Sequence, residues 1–358
     1  MQKLAGKASA VRPRVIFSGI QPTGVPHLGN YIGALRQWVQ LQHHEPRETK
    51  LIYSIVDLHA ITMPQPPDQL RRCKREALAA LLAIGIDPDR ATIFHQSSVP
   101  AHSELMWILS CTASVGYLSR MTQWKSKLNV SEGSTFADRT IASRLKLGLF
   151  SYPVLQAADI LIHRATHVPV GHDQQQHIEF ARECATNFNH AYGSHLVLPD
   201  VLILDFKAPV RRVMSLTDPT SKMSKSHKLE RSRILITDSP REIKAKIRSA
   251  LTDSIPGMSY DTVNRPGISN LLDILSSFDA GGRNPEQLAG EYRDLSPKQL
   301  KELVTDSVVA GLDGIRERYI ELLTAGDARL DQIEAEGTRK ARESAEETMQ
   351  LVRTAVGL

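Results

Sequence analysis

The sequence predicts an α/β protein: a doubly wound, parallel-sheet, Rossmann-like domain followed by a helical C-terminal domain. In the first hundred residues, short apolar runs alternate with segments of helical periodicity, as is typical of parallel strands connected by helices. After about residue 220 no further strands are predicted, and residues 240–358 predict successive helices separated by Pro and Gly breaks. Two domains also fit a chain of 358 residues.

Three apolar runs predict the strands of the first domain. They cover residues 15–17, 51–56 and 91–94. Gly19, Asp57 and Gln96 stand at or just beyond the ends of these runs. Ligands of doubly wound sheets bind beyond the carboxyl ends of the strands, so this edge is the predicted position of a site.

Helices are predicted where apolar residues recur at helical spacing. One begins near Asn30, and two more cover residues 68–84 and 102–113. Residues 126–144 are rich in Ser, Lys and Thr and predict an exposed loop. The chain closes with one long, charged amphipathic helix at 338–356.

Composition excludes several classes of protein. No apolar run approaches the roughly 18 residues that a membrane helix needs, so no membrane partner is expected. Cys73, Cys111 and Cys184 are far apart and form no CxxC pair, which argues against a disulfide framework and against a cysteine zinc site. The net charge of +5 suits a polyanionic partner, although it is weak evidence for nucleic acid by itself.

The N-terminus is basic and contains no acidic residue before Glu45. Lys3, Lys7, Arg12 and Arg14 precede the first predicted strand, which we place from residue 15. A basic, acid-free leader is typical of an organellar transit peptide, and the alternative is a frayed basic tail. Residues 1–14 are therefore expected to be a tail of one of these two kinds.

A glycine-rich turn follows the first predicted strand and leads into a helix. Gly19 and Gly24 permit tight backbone turns, and Gly29 leaves no side chain at the mouth of the helix. Free amides and the helix dipole at such a mouth favour phosphate. His27 and Asn30 add neutral donors. The alternative is an ordinary strand–helix turn capped by Asn30.

A second segment carries two mobile positive charges. Lys222 and Lys225 are three residues apart in a polar loop, and lysine suits the tracking of a departing phosphate. The alternative, a solvated basic loop, explains the charge but does not explain Met223 between the lysines.

These two segments match a known family. Residues 222–226 reproduce the KMSKS signature of class I aminoacyl-tRNA synthetases letter for letter, and residues 27–30 resemble their HIGH signature with Asn in the last place. The flanking segments resemble, more specifically, tryptophanyl-tRNA synthetases of the bacterial and organellar type. These segments are 17–35, 55–60, 120–125, 152–159, 168–174 and 266–270. The resemblance runs from about residue 15 to the C-terminus.

The resemblance implies a tryptophan–tRNA ligase, which joins L-tryptophan to tRNA(Trp) through tryptophanyl-adenylate. Tyr152, Gln156 and Asp159 share one helix face by their spacing, and Pro153 suits the first turn of that helix. In the family this aspartate accepts the indole N–H. The tryptophan site implied by the resemblance comprises Phe17, Ser18, Gly19, His59, Tyr152, Gln156, Asp159, Val168, Val170 and Gln174.

The resemblance also implies an ATP site and no protein-held metal, with Mg²⁺ bound through ATP oxygens. The residues expected along ATP are Gln21, Pro22, Thr23, His27, Gly29, Asn30, Gly171, His172, Asp173, Val213, Lys222, Met223, Ser224, Lys225 and Ser226. Among them Lys222, Lys225 and Gln21, together with Lys125, are the expected catalytic residues. The lysine loop, residues 221–227, is expected to be a hinge that closes over ATP.

The sequence departs from the family pattern at three positions. His172 stands where Glu is usual, and His227 stands where an acidic residue usually follows KMSKS. Gln156 replaces the Met of many bacterial relatives and resembles the organellar forms. These differences place one contact near the ribose in doubt and predict a more polar tryptophan pocket.

The remaining expectations concern organisation and partners. Residues 15–220 are expected to form the catalytic domain, and residues 228–358 a helical region that meets the tRNA anticodon, with the last helix packing back on the catalytic domain. A homodimer is expected, with no DNA partner. The mitochondrial matrix is the expected location, or the cytoplasm if the source is bacterial.

Three other functions compete with this interpretation. A tyrosyl-tRNA synthetase shares the architecture, and a small nucleotidyltransferase uses a related His-x-Gly-His site. The third is a non-catalytic RNA-binding relative. The intact lysines and the helical C-terminal third argue against the nucleotidyltransferase, and the lysines also disfavour the non-catalytic relative.

Overall fold

The computed structural model describes residues 13–128, 130–131, 133–134, 138–169, 175–203, 212–225, 227–324 and 326–358. Within them a five-stranded parallel sheet forms, with the order β3-β2-β1-β4-β5. The strands are β1 Val15–Ile20, β2 Lys50–Ile55, β3 Ala91–His95, β4 His167–Pro169 and β5 Asp200–Leu202. The order reverses between β1 and β4, and crevices at such a reversal are where doubly wound sheets bind ligands.

Helices cover both faces of the sheet and form the C-terminal third. In chain order they are α1 Leu28–Asn30, α2 Arg36–His44, α3 Asp57–Ala60, α4 Pro67–Ala83, α5 Ala101–Ser110, α6 Val115–Arg120, α7 Gln123–Lys127, α8 Arg139–Arg144, α9 Leu147–Ile162, α10 Gln175–Tyr192, α11 Pro240–Arg248, α12 Pro266–Phe278, α13 Pro285–Glu291, α14 Pro297–Gly311, α15 Ile315–Thr324 and α16 Asp327–Val356. A π-helical turn, Tyr31–Leu35, joins α1 to α2. No helix of the described part is long and apolar enough to cross a membrane.

The predicted α/β fold with a helical C-terminal part is confirmed. The predicted strands at 15–17, 51–56 and 91–94 correspond to β1, β2 and β3, because parallel strands buried on both faces have continuous apolar sequences. The register pairs Val15 with Lys50 and Ile20 with Ile55, so β1 and β2 end at the same edge.

Four local predictions differ from the structure. The helix predicted at about 102–113 is present but ends at Ser110, and the last helix, predicted at 338–356, begins at Asp327. The segment 126–144 contains the helix α8, which begins because the Asp138 side chain accepts the Thr140 amide and which buries Ile141. Pro153 lies inside α9 rather than in its first turn, since α9 begins at Leu147. Most residues of this helix are buried, and the stabilisation from that burial exceeds the cost of the backbone hydrogen bond that Pro153 cannot donate.

The last helix, α16, lies against β3 and α5. Arg353 forms an ion pair with Glu104 of α5 at 2.6 Å, and His95 at the end of β3 contacts Glu334 at 2.6 Å. Gly337 allows the closest approach, because a Cβ atom there would overlap the carbonyl oxygen of Ile93. The C-terminal helix therefore packs backbone to backbone against the sheet.

Gly337→Ala is expected to lower the free energy of unfolding by about 1–3 kcal/mol, since the new methyl group forces α16 away from β3. Urea unfolding measures the change. Gly290→Ala in α13 is the matched control, because a Cβ atom there meets no other atom within 4 Å. The control should be neutral or slightly stabilising. Equal stabilities for the two variants would contradict the proposed packing.

Candidate active site

A cavity of about 1770 Å³ opens at the carboxyl ends of β1 and β4, between the sheet and α12. The structure brings many of the predicted tryptophan and ATP residues to its wall. They are Phe17, Ser18, Gly19, Gln21, Asn30, His59, Tyr152, Gln156, Asp159 and Val168. From α12 and its neighbourhood come Tyr260, Asn270 and Asp273. The cavity therefore lies where the strand order reverses and is shared by both parts of the chain.

Asp159 lies at the base of this cavity and is only 1% exposed. Its Oδ1 accepts hydrogen bonds from Gln96 Nε2 and His102 Nδ1, both at 2.7 Å. Its Oδ2 accepts from His59 Nε2 and Gln96 Nε2, both at 2.8 Å. Burial favours the neutral acid, yet the hydrogen bonds from His102 and His59 prevail and lower the pKa of Asp159 to about 2. The carboxylate is ionised at neutral pH.

Tyr152 lies on the same face of α9 as Asp159, about two turns nearer the start of the helix. Its hydroxyl donates to Gln123 Oε1 at 2.6 Å and lies 3.2 Å from His177 Nε2. Burial raises the pKa of this phenol, which is therefore neutral. The His59 ring meets the Tyr152 ring edge-on, with 6.0 Å between the centroids. These contacts fix the aromatic wall beside the carboxylate.

The glycine-rich turn ends in a reciprocal cap formed by His27 and Asn30. The His27 Nδ1 accepts the Asn30 amide at 3.3 Å, and the Asn30 side chain accepts the His27 amide at 3.2 Å. Because Nδ1 accepts, the ring proton resides on Nε2. Burial, helped by the charges of Lys225 and Lys222, lowers the pKa of His27 to about 4. His27 is thus a neutral imidazole whose Nε2–H is a donor.

The lysine loop rests against this turn. Met223 is buried, and its amide donates to the carbonyl of Val213 at 3.1 Å. The Lys225 ammonium donates to Thr23 Oγ1 at 3.1 Å and to the Gly24 carbonyl at 2.7 Å. Burial lowers the pKa of Lys225 to about 8. The structure therefore joins two segments that lie about 200 residues apart in the sequence.

The other predicted site residues divide into those that the structure describes and those that it does not. Lys222 is exposed and Ser224 is half-buried. Gly29 lies close to Val213, because a Cβ atom added at Gly29 would be 3.5 Å from Val213 Cβ. Lys125 is buried, with its ammonium 5.5 Å from the centre of the Trp124 ring. Predictions for Val170, Gly171, His172, Asp173, Gln174 and Ser226 lie outside the described residues. Over the described ranges, no group of three His, Cys, Asp or Glu side chains could hold a metal ion.

Part of the Asp159 environment has no signal in the local sequence. Gln96 is predicted only to follow a strand, and nothing nearby distinguishes His102 from an ordinary core histidine. Asp57, which also follows a predicted strand, contacts Lys74 at 2.6 Å and accepts the Ser97 amide at 2.9 Å. It supports the fold below the cavity, because these bonds tie the start of α3 to the segment after β3.

Comparisons with known proteins agree with this geometry. The family model "tRNA synthetases class I (W and Y)" matches residues 9–313. The mitochondrial tryptophan–tRNA ligase of Schizosaccharomyces pombe is 42% identical over 365 residues, covering 100% of this chain and 99% of that protein. The chain belongs to the tryptophan–tRNA ligases. The family member from Enterococcus faecalis is 42% identical, covering 96% of this chain and 98% of that protein.

A solved structure of this family is similar throughout. Tryptophanyl-tRNA synthetase from Campylobacter jejuni, complexed with ADP and tryptophan, superposes with a TM-score of 0.76 at 34% identity. The match covers 96% of this chain and 100% of that one. The tryptophan–tRNA ligases thus provide both the sequence relatives and the structural relatives of the chain, and the tyrosine branch of the family model is disfavoured.

Proposed function

We propose that this tryptophan–tRNA ligase binds the indole ring over Asp159 and the triphosphate of ATP between the glycine-rich turn and the lysine loop. A carboxylate oxygen of tryptophan attacks the α-phosphorus, and the bond from that phosphorus to the bridging oxygen breaks, releasing pyrophosphate. A ribose hydroxyl of the terminal tRNA(Trp) adenosine then attacks the acyl carbon, and AMP leaves. The observation that carries the proposal is the fully bonded, ionised Asp159 at the base of the cavity.

The tryptophan end of the site is built to accept one N–H. Phe17, Val168 and the Tyr152 ring provide apolar walls, and Ser18, Gly19 and Gln156 complete the opening. Because four donor contacts already surround Asp159, the indole N–H replaces one of them. His59 lines the cavity, so its bond to Oδ2 is the one that we expect to exchange. Val170 and Gln174 are proposed to close this pocket.

The ATP end uses charge and neutral donors without a nucleophilic side chain. The neutral His27 donates through Nε2, while Lys222, Lys225 and Lys125 oppose the negative charge on the phosphates. Gln21 is proposed to contact the reacting phosphate. The further proposed ATP contacts are Pro22, Thr23, Gly29, Asn30, Gly171, His172, Asp173, Val213, Met223, Ser224 and Ser226. Mg²⁺ enters as a complex with ATP and is held by its phosphate oxygens.

The test of the amino acid is ATP–pyrophosphate exchange with tryptophan and with tyrosine. We expect exchange with tryptophan and at least 10³-fold less with tyrosine, because a phenol offers no N–H at the position of the indole nitrogen. Exchange that is faster with tyrosine would contradict the proposal. RNA binding without exchange for either amino acid would favour a non-catalytic RNA-binding protein.

The rate with ATP should fall as the pH rises through about 8, the pKa to which burial lowers the Lys225 ammonium. The charged form predominates below that pH, and phosphate binding requires it, so kcat/KM for ATP decreases above it. Lys225→Arg is the control, since a guanidinium stays protonated throughout this pH range. For this variant, kcat/KM for ATP should stay constant between pH 8 and 9. The same decrease in both proteins would exclude Lys225 as its source.

The assembly and location are proposed on separate grounds. Trp107, Val115 and Leu147 are large apolar side chains with 72%, 63% and 78% exposure, and we propose that they contribute to a homodimer contact. Sedimentation of wild type and Trp107→Glu tests this, because the charge should shift the protein towards the monomer.

The basic N-terminus and the mitochondrial relative support import into the matrix, and import into isolated mitochondria tests it. Residues 228–358 are proposed to meet the anticodon.

A further inference from the structure

A chain of hydrogen bonds leads from Asp159 to the C-terminal helix. His102 Nδ1 lies 2.7 Å from Asp159 Oδ1, and the Nε2 atoms of His102 and His163 lie 3.3 Å apart. The Nδ1 of His163 lies 3.1 Å from Ser344 Oγ. These residues come from α5, the end of α9 and α16, so the chain crosses three elements that are distant in the sequence.

One arrangement of protons satisfies every atom in this chain without charging either histidine. Burial holds the pKa of His163 well below its usual value, so its ring is neutral. Ser344 then donates to His163 Nδ1, and His163 Nε2–H donates to His102 Nε2. His102 is left with its proton on Nδ1, which donates to Asp159. All three bonds point towards the carboxylate, and reversing any one would leave a donor or an acceptor unpaired.

Aromatic packing holds the two imidazoles in place. Phe17 stacks on His163 with centroids 5.7 Å apart and planes 20° apart, and Phe94 meets the same ring edge-on at 5.5 Å. His102 is 0% exposed and His163 is 2% exposed. Rings locked in this way give Asp159 a fixed donor on one side, while His59 on its cavity side is the one that exchanges.

We propose that His102, His163 and Ser344 are positioning residues for tryptophan. They orient Asp159 towards the indole N–H, and this orientation depends on the position of α16 against the catalytic domain. The inference rests on the proposed role of Asp159. It adds a specificity function to the C-terminal helix, although no α16 residue of the described part lines the cavity. Arg353, paired with Glu104 of α5, secures the same helix further along.

The test compares tryptophan with its benzothiophene analogue, in which sulfur replaces the indole N–H. The quantity measured is the ratio of the two kcat/KM values in pyrophosphate exchange. Ser344→Ala should lower this ratio about two- to tenfold, as expected for one weakened hydrogen bond, and His163→Phe should lower it further. The KM for ATP should stay unchanged. Ser344→Thr, which restores a hydroxyl, should recover the wild-type ratio.

Thr354→Ala is the matched control, because it removes a hydroxyl from α16 that bonds within its own helix, to the Gln350 carbonyl at 2.8 Å. The control should keep the wild-type ratio. If Ser344→Ala lowers both kcat/KM values equally, the chain is only structural and the inference is overturned, whether or not His163→Phe folds. If the wild-type protein itself does not prefer tryptophan over the analogue, the proposed role of Asp159 fails, and the inference fails with it.

Discussion

Asp159→Asn should reduce kcat/KM for tryptophan in pyrophosphate exchange by about 10²- to 10³-fold, in the range of losses for removing one essential polar contact. Asparagine offers one acceptor oxygen and an amide group where the aspartate offers two acceptor oxygens. The amide must therefore face one of the donors Gln96, His102 or His59. The substitution removes the charge that these donors stabilise and leaves one buried N–H without an acceptor.

The loss should be specific to substrates that carry the indole N–H. With the benzothiophene analogue, Asp159→Asn should change kcat/KM by less than about tenfold, since the analogue has no N–H to donate to the carboxylate. Stability must be measured alongside, because an unpaired buried donor costs about 1–3 kcal/mol of unfolding free energy. Assays at a temperature where the variant is folded separate the two effects. Equal losses with tryptophan and the analogue would show that Asp159 supports the fold only.

The sequence was sufficient for the fold class because long apolar strands have a clear signature. β1, β2 and β3 contain five or six residues each and were predicted. β4 and β5 contain three residues each. β4 includes His167 and Pro169 and has no apolar run, and the apolar run at 201–204 overlaps β5 at only two positions. The strand order was likewise beyond local sequence, because it depends on which side of β1 the later strands join.

Local sequence likewise predicts one part of the candidate site and not another. The shared face of Tyr152, Gln156 and Asp159 followed from helical spacing, and all three side chains line the cavity. The partners of Asp159 did not follow, because Gln96 and His102 lie 63 and 57 residues away in the sequence. Spacing predicts which residues share one element, whereas contacts between elements depend on the packing of the whole domain.

Packing also explains why Pro153 misled the prediction of the start of α9. A proline is favoured in a first turn, where its missing amide costs nothing, and local sequence therefore placed the helix start there. In the structure α9 begins six residues earlier, at Leu147. Leu149, Val154, Leu155 and Ile160 are buried along it, and this burial offsets the lost hydrogen bond. Tertiary burial thus decides where the helix starts. The earlier start does not alter which residues of the helix face the cavity, because their spacing is the same.

Lys225→Ala should lower kcat for tryptophan activation by about 10²- to 10³-fold, by analogy with the loss of one preorganised donor. In the structure the Lys225 ammonium donates to Thr23 Oγ1 and the Gly24 carbonyl, which are neutral acceptors. Phosphate oxygens are stronger acceptors because they are charged. The ammonium should therefore leave the turn for the phosphates when ATP binds, which requires the lysine loop to move.

Lys228→Ala provides the matched control, since it removes an equal charge from an exposed position outside the proposed site. It should change kcat less than about threefold, as is usual for an exposed surface charge. Hydrogen exchange of residues 221–225, with and without ATP, tests the movement directly, and protection should change when ATP is present. A Lys225→Ala protein that activates tryptophan at the wild-type rate would remove this lysine from the mechanism. If hydrogen exchange is unchanged by ATP while Lys225→Ala loses most of its kcat, the Lys225 charge has a role in catalysis but the lysine loop is not a hinge. The ammonium would then stabilise the phosphates without moving.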